Sequence, residues 1–291
     1  MIDLTKYIET AGPLRALGVI VEQDGREVAK HLWEAPHRRN LYSATKSFTS
    51  AAVGLALKEG LLSLDEKLTD VFAEDLPDEV SPHLEKATVR DLLTMALGQE
   101  KPYLMGVDRP YYEDENWVRS TLAQPFVHDP GEVFMYSNSG PYLAGILVQR
   151  RCGTDLVHYM TPRLFKPIGI SLPTWETDPL GNNFGAGGLF LTIEEFHTFG
   201  RLYANRGRCG DRQILTEEWV AASTGRQQDN DRFGYGYLIW RGQNDTFYIS
   251  GKYGQTIVFF PDKNAFVTTT AESRQQPALL QAVYDHIYPQ L

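Results

Sequence analysis

Cysteine is nearly missing from this chain, with only Cys152 and Cys209 among 291 residues. The two form neither a CxxC pair nor a disulfide framework, so they read as reduced structural thiols in a reducing compartment. Positive charge is also short. Lys and Arg number 28 against 37 Asp and Glu, a formal net charge of -9. A chain of that sign lacks the clustered cations that phosphate backbones and anionic lipids require, which argues against nucleic-acid or membrane-surface partners. No window approaches the roughly 18 uncharged apolar residues of a membrane span. The opening "MIDLTKYIETAGPLRALGVI" does not join a basic start to an apolar run. The expectation is a soluble cytoplasmic protein.

Several signatures of chemistry are missing too. Without GxSxG there is no strained nucleophile elbow of the strand-to-helix kind. Without HExxH or HxH, and with seven scattered histidines, zinc catalysis has no ligand set. "GKY" lacks the flanking residues of a phosphate loop, and "GYGYLI" and "GAGGLF" each miss the last glycine of a dinucleotide fingerprint. No metal and no cofactor are expected.

What is present is a core-forming chain, 42% hydrophobic, of a length suited to one large domain or two intimate ones. "LGVIVEQ" and "REVAKHLWE" are strand-like and meet at Asp24-Gly25, a tight-turn dipeptide, so a β-hairpin opens the fold. From about Ala44 to Glu194 helices and loops dominate. "TVRDLLTMAL" and "GPYLAGILVQRRCG" have helical spacing, the latter stopping at Gly153, and "TIEEFHTFGRLYANRG" begins with a Thr192/Glu195 capping box. Strands return in "YGYLIWRG", "DTFYISG", "QTIVFFP" and "AFVTTTAE", the last two joined by a "PDKNA" turn, before a closing helix "QPALLQAVYDHIY". This pattern predicts an α/β (α+β) fold. One antiparallel sheet is built from both termini, 1–56 and 195–291, and flanked by helices, with a mainly helical insertion at 57–194. A cleft between sheet and insertion is the expected place for a site.

The residues best suited to chemistry start at "SATK". Ser43 and Lys46 are three apart, so on a helix they share a face and bring hydroxyl and amine within hydrogen-bond reach. Serine is a poor nucleophile without a base, and lysine is a base only when neutral. Bringing its pKa from about 10.4 to near 7 means disfavouring the cation by roughly 4–5 kcal/mol, which burial can do. The following Phe48, Ala51, Ala52, Val53, Leu55 and Ala56 form an apolar helix that would hold Lys46 out of water. Downstream, "PGEVFMYSNSG" places Tyr136 and Asn138 in a loop at a helix mouth. Tyr136 has two roles open to it: relaying a proton to a leaving group, or acting as a phenolate base beside a charged Lys46. Asn138 has the amide to bond a substrate carbonyl.

SxxK followed by YxN and then a glycine-containing strand near the C-terminus resembles the serine β-lactamase and penicillin-binding protein superfamily. The likeness is closest to the class C branch and the related carboxylesterases, D-aminopeptidases and amide hydrolases. "GLLSLDEKLTDVF", "TVRDLLTMALG", "PGEVFMYSNSGPYLAGILVQRRCG", "FKPIGI" and "GAGGLFLTIEEFHTFGRLYANRG" follow the family's order across most of the chain. The resemblance implies a β-lactamase/transpeptidase-like fold and an acyl-enzyme on Ser43. Lys46 would be base or base partner, Tyr136 the proton relay, and Asn138 a substrate contact.

The family's third motif, KTG on an edge strand, has two possible registers here. Lys252-Tyr253-Gly254 matches by letter, but the apolar strand begins just after Gln255 and leaves no room for a hairpin. Three places earlier, Ile249-Ser250-Gly251 fits the esterase-like branch, with the Lys252 amide joining that of Ser43 as oxyanion donor. In the first register the Lys252 ammonium would bind a substrate carboxylate and Gln255 would supply the amide. The choice bears on substrate, because a cation facing the cleft favours carboxylated compounds and its absence favours neutral esters or amides. "KPYLMGVDRPYYEDENW", rich in tyrosine and acid, is a candidate cleft rim, with Tyr112 as a substrate contact. The expected function is a serine hydrolase of small esters or amides. β-Lactamase or D-alanyl carboxypeptidase activity proper, and a catalytically silent binding protein, are the rival readings.

Overall fold

The computed structural model describes residues 2–291. Helix α1 (Thr5–Ala11) precedes a hairpin of β1 (Ala16–Gln23) and β2 (Arg26–Leu32). Asp24 (φ 51°) and Gly25 (φ 73°) form its left-handed turn, as the dipeptide predicts. Helices α2 (Thr45–Lys58), α3 (Ser139–Cys152) and α4 (Ile193–Ala204) follow. The C-terminal part contributes β3 (Trp240–Arg241), β4 (Phe247–Gly251), β5 (Gln255–Phe260), β6 (Ala265–Ala271) and helix α5 (Gln276–His286). These strands form one antiparallel sheet in the order β2-β1-β6-β5-β4-β3, so the two ends of the chain meet where β1 pairs with β6.

Alternation along the strands separates two faces. Val19, Val21, Val258, Phe260 and Val267 pack under α1 and α5. Ile257, Phe259 and Phe266 face the opposite way, into the larger core with Phe196 and Phe199 of α4 and Phe48 of α2. Residues Thr45 to Ala56 of α2 are all buried, which accounts for a helix without charge in its middle. Helix α3 packs against it. Gly140, in the first turn of α3, lies against the Leu92 backbone so closely that a Cβ would drive into the Leu92 carbonyl. Two backbones cannot give way as a side chain can. Gly140→Ala is therefore expected to destabilise the protein by about 1–3 kcal/mol, read as a lower midpoint in urea at unchanged slope.

Between residues 57 and 194 the chain is mostly short helices and turns, with the brief strands Thr174–Trp175 and Leu189–Leu191 joining Arg39–Asn40 in a second small sheet. We propose that this stretch is an insertion into the sheet-bearing part. The larger core runs through both parts, and the boundaries at 56/57 and 194/195 fall within α2 and α4.

Two segments differ from expectation. In "TVRDLLTMAL" the Thr88/Asp91 capping box opens only a 3-10 turn, Val89–Leu93, because the Leu93 carbonyl accepts the Leu238 amide instead of continuing a helix. "YGYLIWRG" yields only the two residues of β3, since Leu238 is left-handed (φ 60°) and breaks the strand. Among the described residues no helix is long and apolar enough to cross a membrane.

Candidate active site

The first short strand of the small sheet, Arg39–Asn40, leads into a 3-10 turn, Tyr42–Ala44, that runs directly into α2. Tyr42 sits at φ 50°, and the Asn40 side chain accepts its amide at 2.7 Å. This holds open a sharp turn immediately before Ser43. One turn further on, Lys46 Nζ donates to Ser43 Oγ at 3.0 Å and to the Ala186 carbonyl at 2.7 Å. Its side chain is 1% exposed. Burial, aided by the positive charge of Arg109, lowers its pKa to about 7. The turn that carries Ala186, and the strand that follows it, are laced to the same helix: Thr49 donates to the Gly185 carbonyl and Thr45 accepts the Leu189 amide. The polar residues of α2 thus fix the partner of Lys46 as well as Lys46 itself.

Tyr136 and Asn138 arrive from the loop before α3. The Tyr136 ring stacks on Trp240, centroids 5.4 Å apart, and Lys46 Nζ lies 5.1 Å from its centre. Burial pushes the Tyr136 phenol up to about 12, with hydrogen bonding to Ser43 opposing the shift. The phenol is therefore neutral wherever Lys46 is titrating. Asn138 Nδ2 donates to the Leu104 carbonyl at 2.8 Å, while Oδ1 is buried without a partner. What this side chain leaves free is an acceptor, better matched to a substrate N–H than to the carbonyl expected from sequence.

The end of β4 coincides with the earlier of the two registers. Ile249, Ser250 and Gly251 end β4, whereas Lys252–Gly254 form the turn into β5, with Tyr253 at φ 68° and Gly251 paired with Gln255 across it. Gly251 abuts the nucleophile turn, where a Cβ would strike the Leu41 carbonyl oxygen and come within 3.0 Å of the Ala44 amide. The backbone N–H groups of Ser43, in the nucleophile turn, and of Lys252, directly after Gly251, belong to the two segments that meet at this contact.

Ser43, Tyr136, Asn138, Ser250, Gly251 and Lys252 all line a single open cleft of ≈730 Å³, with Lys46 beneath its floor. Three expected contacts do not reach it. Gln255 is buried and donates to the Ala271 carbonyl at 2.6 Å, because β5 is an interior strand. Tyr253 turns against Tyr42, ring to ring at 5.2 Å. Tyr112 packs on Tyr103 and Trp117, and its hydroxyl accepts the Leu104 amide at 3.1 Å. Its part is indirect, since Leu104 is the residue that holds Asn138.

Sequence reasoning missed Arg109, Glu176 and Trp240, which also line the cleft. Arg109 comes from the expected rim segment, and its one signal in the sequence was a cation set among acids and tyrosines. Glu176 accepts from Asn40 Nδ2 at 3.0 Å, so it supports the turn before Ser43.

Residues 4–286 match the family model described as Beta-lactamase. Monacolin J acid methylbutanoyltransferase of Aspergillus terreus is 32% identical over 155 residues, covering 47% of this chain and 37% of that protein. Lovastatin esterase of Penicillium rubens is 30% identical over 153 residues, 45% of this chain and 38% of its own. The alignments thus span well under half the length of these curated relatives. The fold of the octameric penicillin-binding protein homologue from Pyrococcus abyssi superposes with a TM-score of 0.74 at 20% identity, over 96% of this chain and 75% of that one. With the family model matched over nearly its whole length, the chain belongs to the beta-lactamase family.

Proposed function

We propose that the protein is a serine hydrolase that cleaves a small ester or amide through an acyl-enzyme on Ser43. The observation that carries this reading is the buried amine of Lys46, brought to a pKa of about 7 and held 3.0 Å from Ser43 Oγ. In its neutral form Lys46 keeps one N–H on the Ala186 carbonyl and offers its lone pair to the serine hydroxyl proton. Ser43 Oγ then bonds to the substrate carbonyl carbon, and the proton moves to Nζ. The carbonyl oxygen, now negative, is held by the amides of Ser43 and Lys252. The tetrahedral adduct collapses, its bond to the leaving oxygen or nitrogen breaks, and the proton returns to that atom through the Tyr136 hydroxyl. Water attacks the acyl ester by the same route, giving up its proton to Lys46 and releasing the acid and Ser43. Two unpaired cysteines, Cys152 and Cys209, support a reducing, cytoplasmic setting.

A fluorophosphonate probe tests the nucleophile. Intact mass should show one adduct on the wild type and none on Ser43→Ala. No adduct with fluorophosphonate, penicillin or nitrophenyl acetate would instead favour the silent binder. Hydrolysis of nitrophenyl esters, a chromogenic cephalosporin and D-amino-acid amides then separates esterase, β-lactamase and peptidase activities.

A further inference from the structure

The hydroxyl of Tyr136 is hydrogen-bonded to Ser43, the group whose bonding changes most as an acyl-enzyme forms. Once Ser43 Oγ is an ester oxygen it has no proton to give, so this bond cannot hold the phenol in place through a whole reaction. Regular backbone structure does not hold it either. Tyr136 lies in a segment without helix or strand, and its side chain still turns about two bonds. What remains is contact with the ring.

Trp240 supplies that contact, its ring stacked on Tyr136 with centroids 5.4 Å and planes 21° apart. Trp240 is in turn fixed from several directions. Two residues before it, Leu238 is left-handed at φ 60°; the Leu93 carbonyl accepts its amide at 2.9 Å, and the Ser47 hydroxyl donates to its carbonyl at 3.0 Å. Ser47 follows Lys46 in α2, so the turn that aims Trp240 is tied to the helix that carries the base. Trp240 then pairs with Tyr248 across β3 and β4, where paired side chains share a face, and the two rings stack 6.2 Å apart at 7°. Tyr235 meets the indole edge to face at 4.8 Å, and Phe134 at 6.0 Å. A flat ring held this firmly gives the Tyr136 ring a single well-packed seat.

We propose that Trp240 is a positioning residue: by stacking on Tyr136 it keeps the phenol hydroxyl aimed at the atom that leaves the substrate. This rests on the hydrolase reading, since it concerns the proton relay of the same site. When the adduct collapses, the carbon–oxygen bond to the leaving group breaks, the phenol gives its proton to that oxygen, and it takes up the proton held on Lys46. Misplacing such a donor by about 1 Å costs about 10²-fold. How much is lost depends on the leaving group. Ethoxide is strongly basic and departs with a proton, whereas nitrophenolate is weakly basic and departs without one.

The test measures kcat/KM for ethyl butyrate and nitrophenyl butyrate in wild type, Trp240→Ala, Trp240→Phe and Tyr136→Phe. Trp240→Ala should lose about 10- to 100-fold more on the ethyl ester than on the nitrophenyl ester, with the ethyl-ester loss falling in kcat rather than KM. Trp240→Phe keeps a flat ring and should regain most of the difference. In a Tyr136→Phe background, Trp240→Ala should change that difference by less than about threefold, because the relay it serves is already gone. Equal losses on both esters, or an effect of Trp240→Ala undiminished in the Tyr136→Phe background, overturn the proposal, since either marks a wall of the cleft rather than a partner of the relay. Trp240→Leu, which fills space without a flat face, takes the place of Trp240→Ala if that variant melts below the assay temperature. If wild type cleaves the esters and the leaving-group difference is absent, the positioning role fails and the hydrolase stands. If wild type cleaves neither ester and Ser43 takes no adduct, the hydrolase reading fails and this role falls with it.

Discussion

Lys46→Met is expected to lower kcat/KM by about 10²- to 10⁴-fold, the usual contribution of a positioned general base, while making the protein more stable. Both effects have one cause. In the folded chain the amine titrates near 7 because burial disfavours its cation, whereas in the unfolded chain it returns to 10.5. Between those values the unfolded state binds the extra proton, so wild-type stability rises with pH from about 7 to 10.5. At or below pH 7 the penalty is fully present, about 4–5 kcal/mol for a shift of this size. Methionine has similar length and carries no such penalty. It does leave the Ala186 carbonyl without its donor, which costs about 1–3 kcal/mol. The balance favours the variant at pH 7, by about 1–4 kcal/mol from these two estimates. The gain should fade towards pH 10. Thermal melts at several pH values check this, and a variant that is less stable than wild type at pH 6 would mean that the amine is not suppressed. The pH–rate profile of the wild type separates the two candidate bases. With Lys46 as base, kcat/KM climbs with an apparent pKa of about 7 and then levels; with Tyr136, whose phenol lies at about 12, it would keep rising beyond pH 10.

How much of this was legible in the sequence depended on how local the cause was. The Asp24-Gly25 hairpin, the Thr192/Glu195 capping box and the left-handed stop at Gly153 are written in a few adjacent residues, and all three are found. Ser43 and Lys46 are one helical turn apart, so their meeting also follows from local geometry. The turn at Lys252–Gly254 was readable from strand length, because β5 starts at Gln255 and leaves those three residues to make it. The loops were harder. Tyr112 and Arg109 lie in one segment, yet Tyr112 turns inward to the Leu104 amide and Arg109 faces the cleft. No periodicity governs such a segment, and each side chain's direction is set by partners distant in sequence, such as Phe184 and Glu176 for Arg109. Gln255 misled for a related reason: it neighbours the motif in sequence, but as the first residue of an interior strand it pairs with Gly251 and its side chain donates to the Ala271 carbonyl.

Gly251→Ala is expected to cost more activity than stability. The last residue of β4 is fixed from three sides: it pairs with Gln255, its carbonyl accepts Gln276 Nε2 at 2.6 Å, and its Cα faces the Leu41 carbonyl and Ala44 amide of the nucleophile turn. A methyl group there cannot be accommodated by a rotamer change, because the atoms it meets are backbone. Either the strand end or the turn at Tyr42–Ala44 has to move. Overpacking of this kind costs about 1–3 kcal/mol of stability, which leaves a domain of ordinary stability folded. The catalytic consequence is larger because it is geometric. The amides of Ser43 and Lys252 lie on the two elements that the methyl group pushes apart, and an oxyanion hole with one displaced donor loses about 2.7–4 kcal/mol of transition-state stabilisation, or 10²- to 10³-fold in kcat. Because Lys46 is anchored separately, on Ala186 and within α2, its titration should persist in this variant. The variant should therefore keep the rise of kcat/KM near pH 7, at a plateau reduced 10²- to 10³-fold, with a melting curve only modestly lowered. If kcat stays within threefold of wild type, the two amides do not form the oxyanion site. If the rise near pH 7 disappears as well, the damage has spread to α2 and the separation of base from oxyanion donors proposed here is wrong.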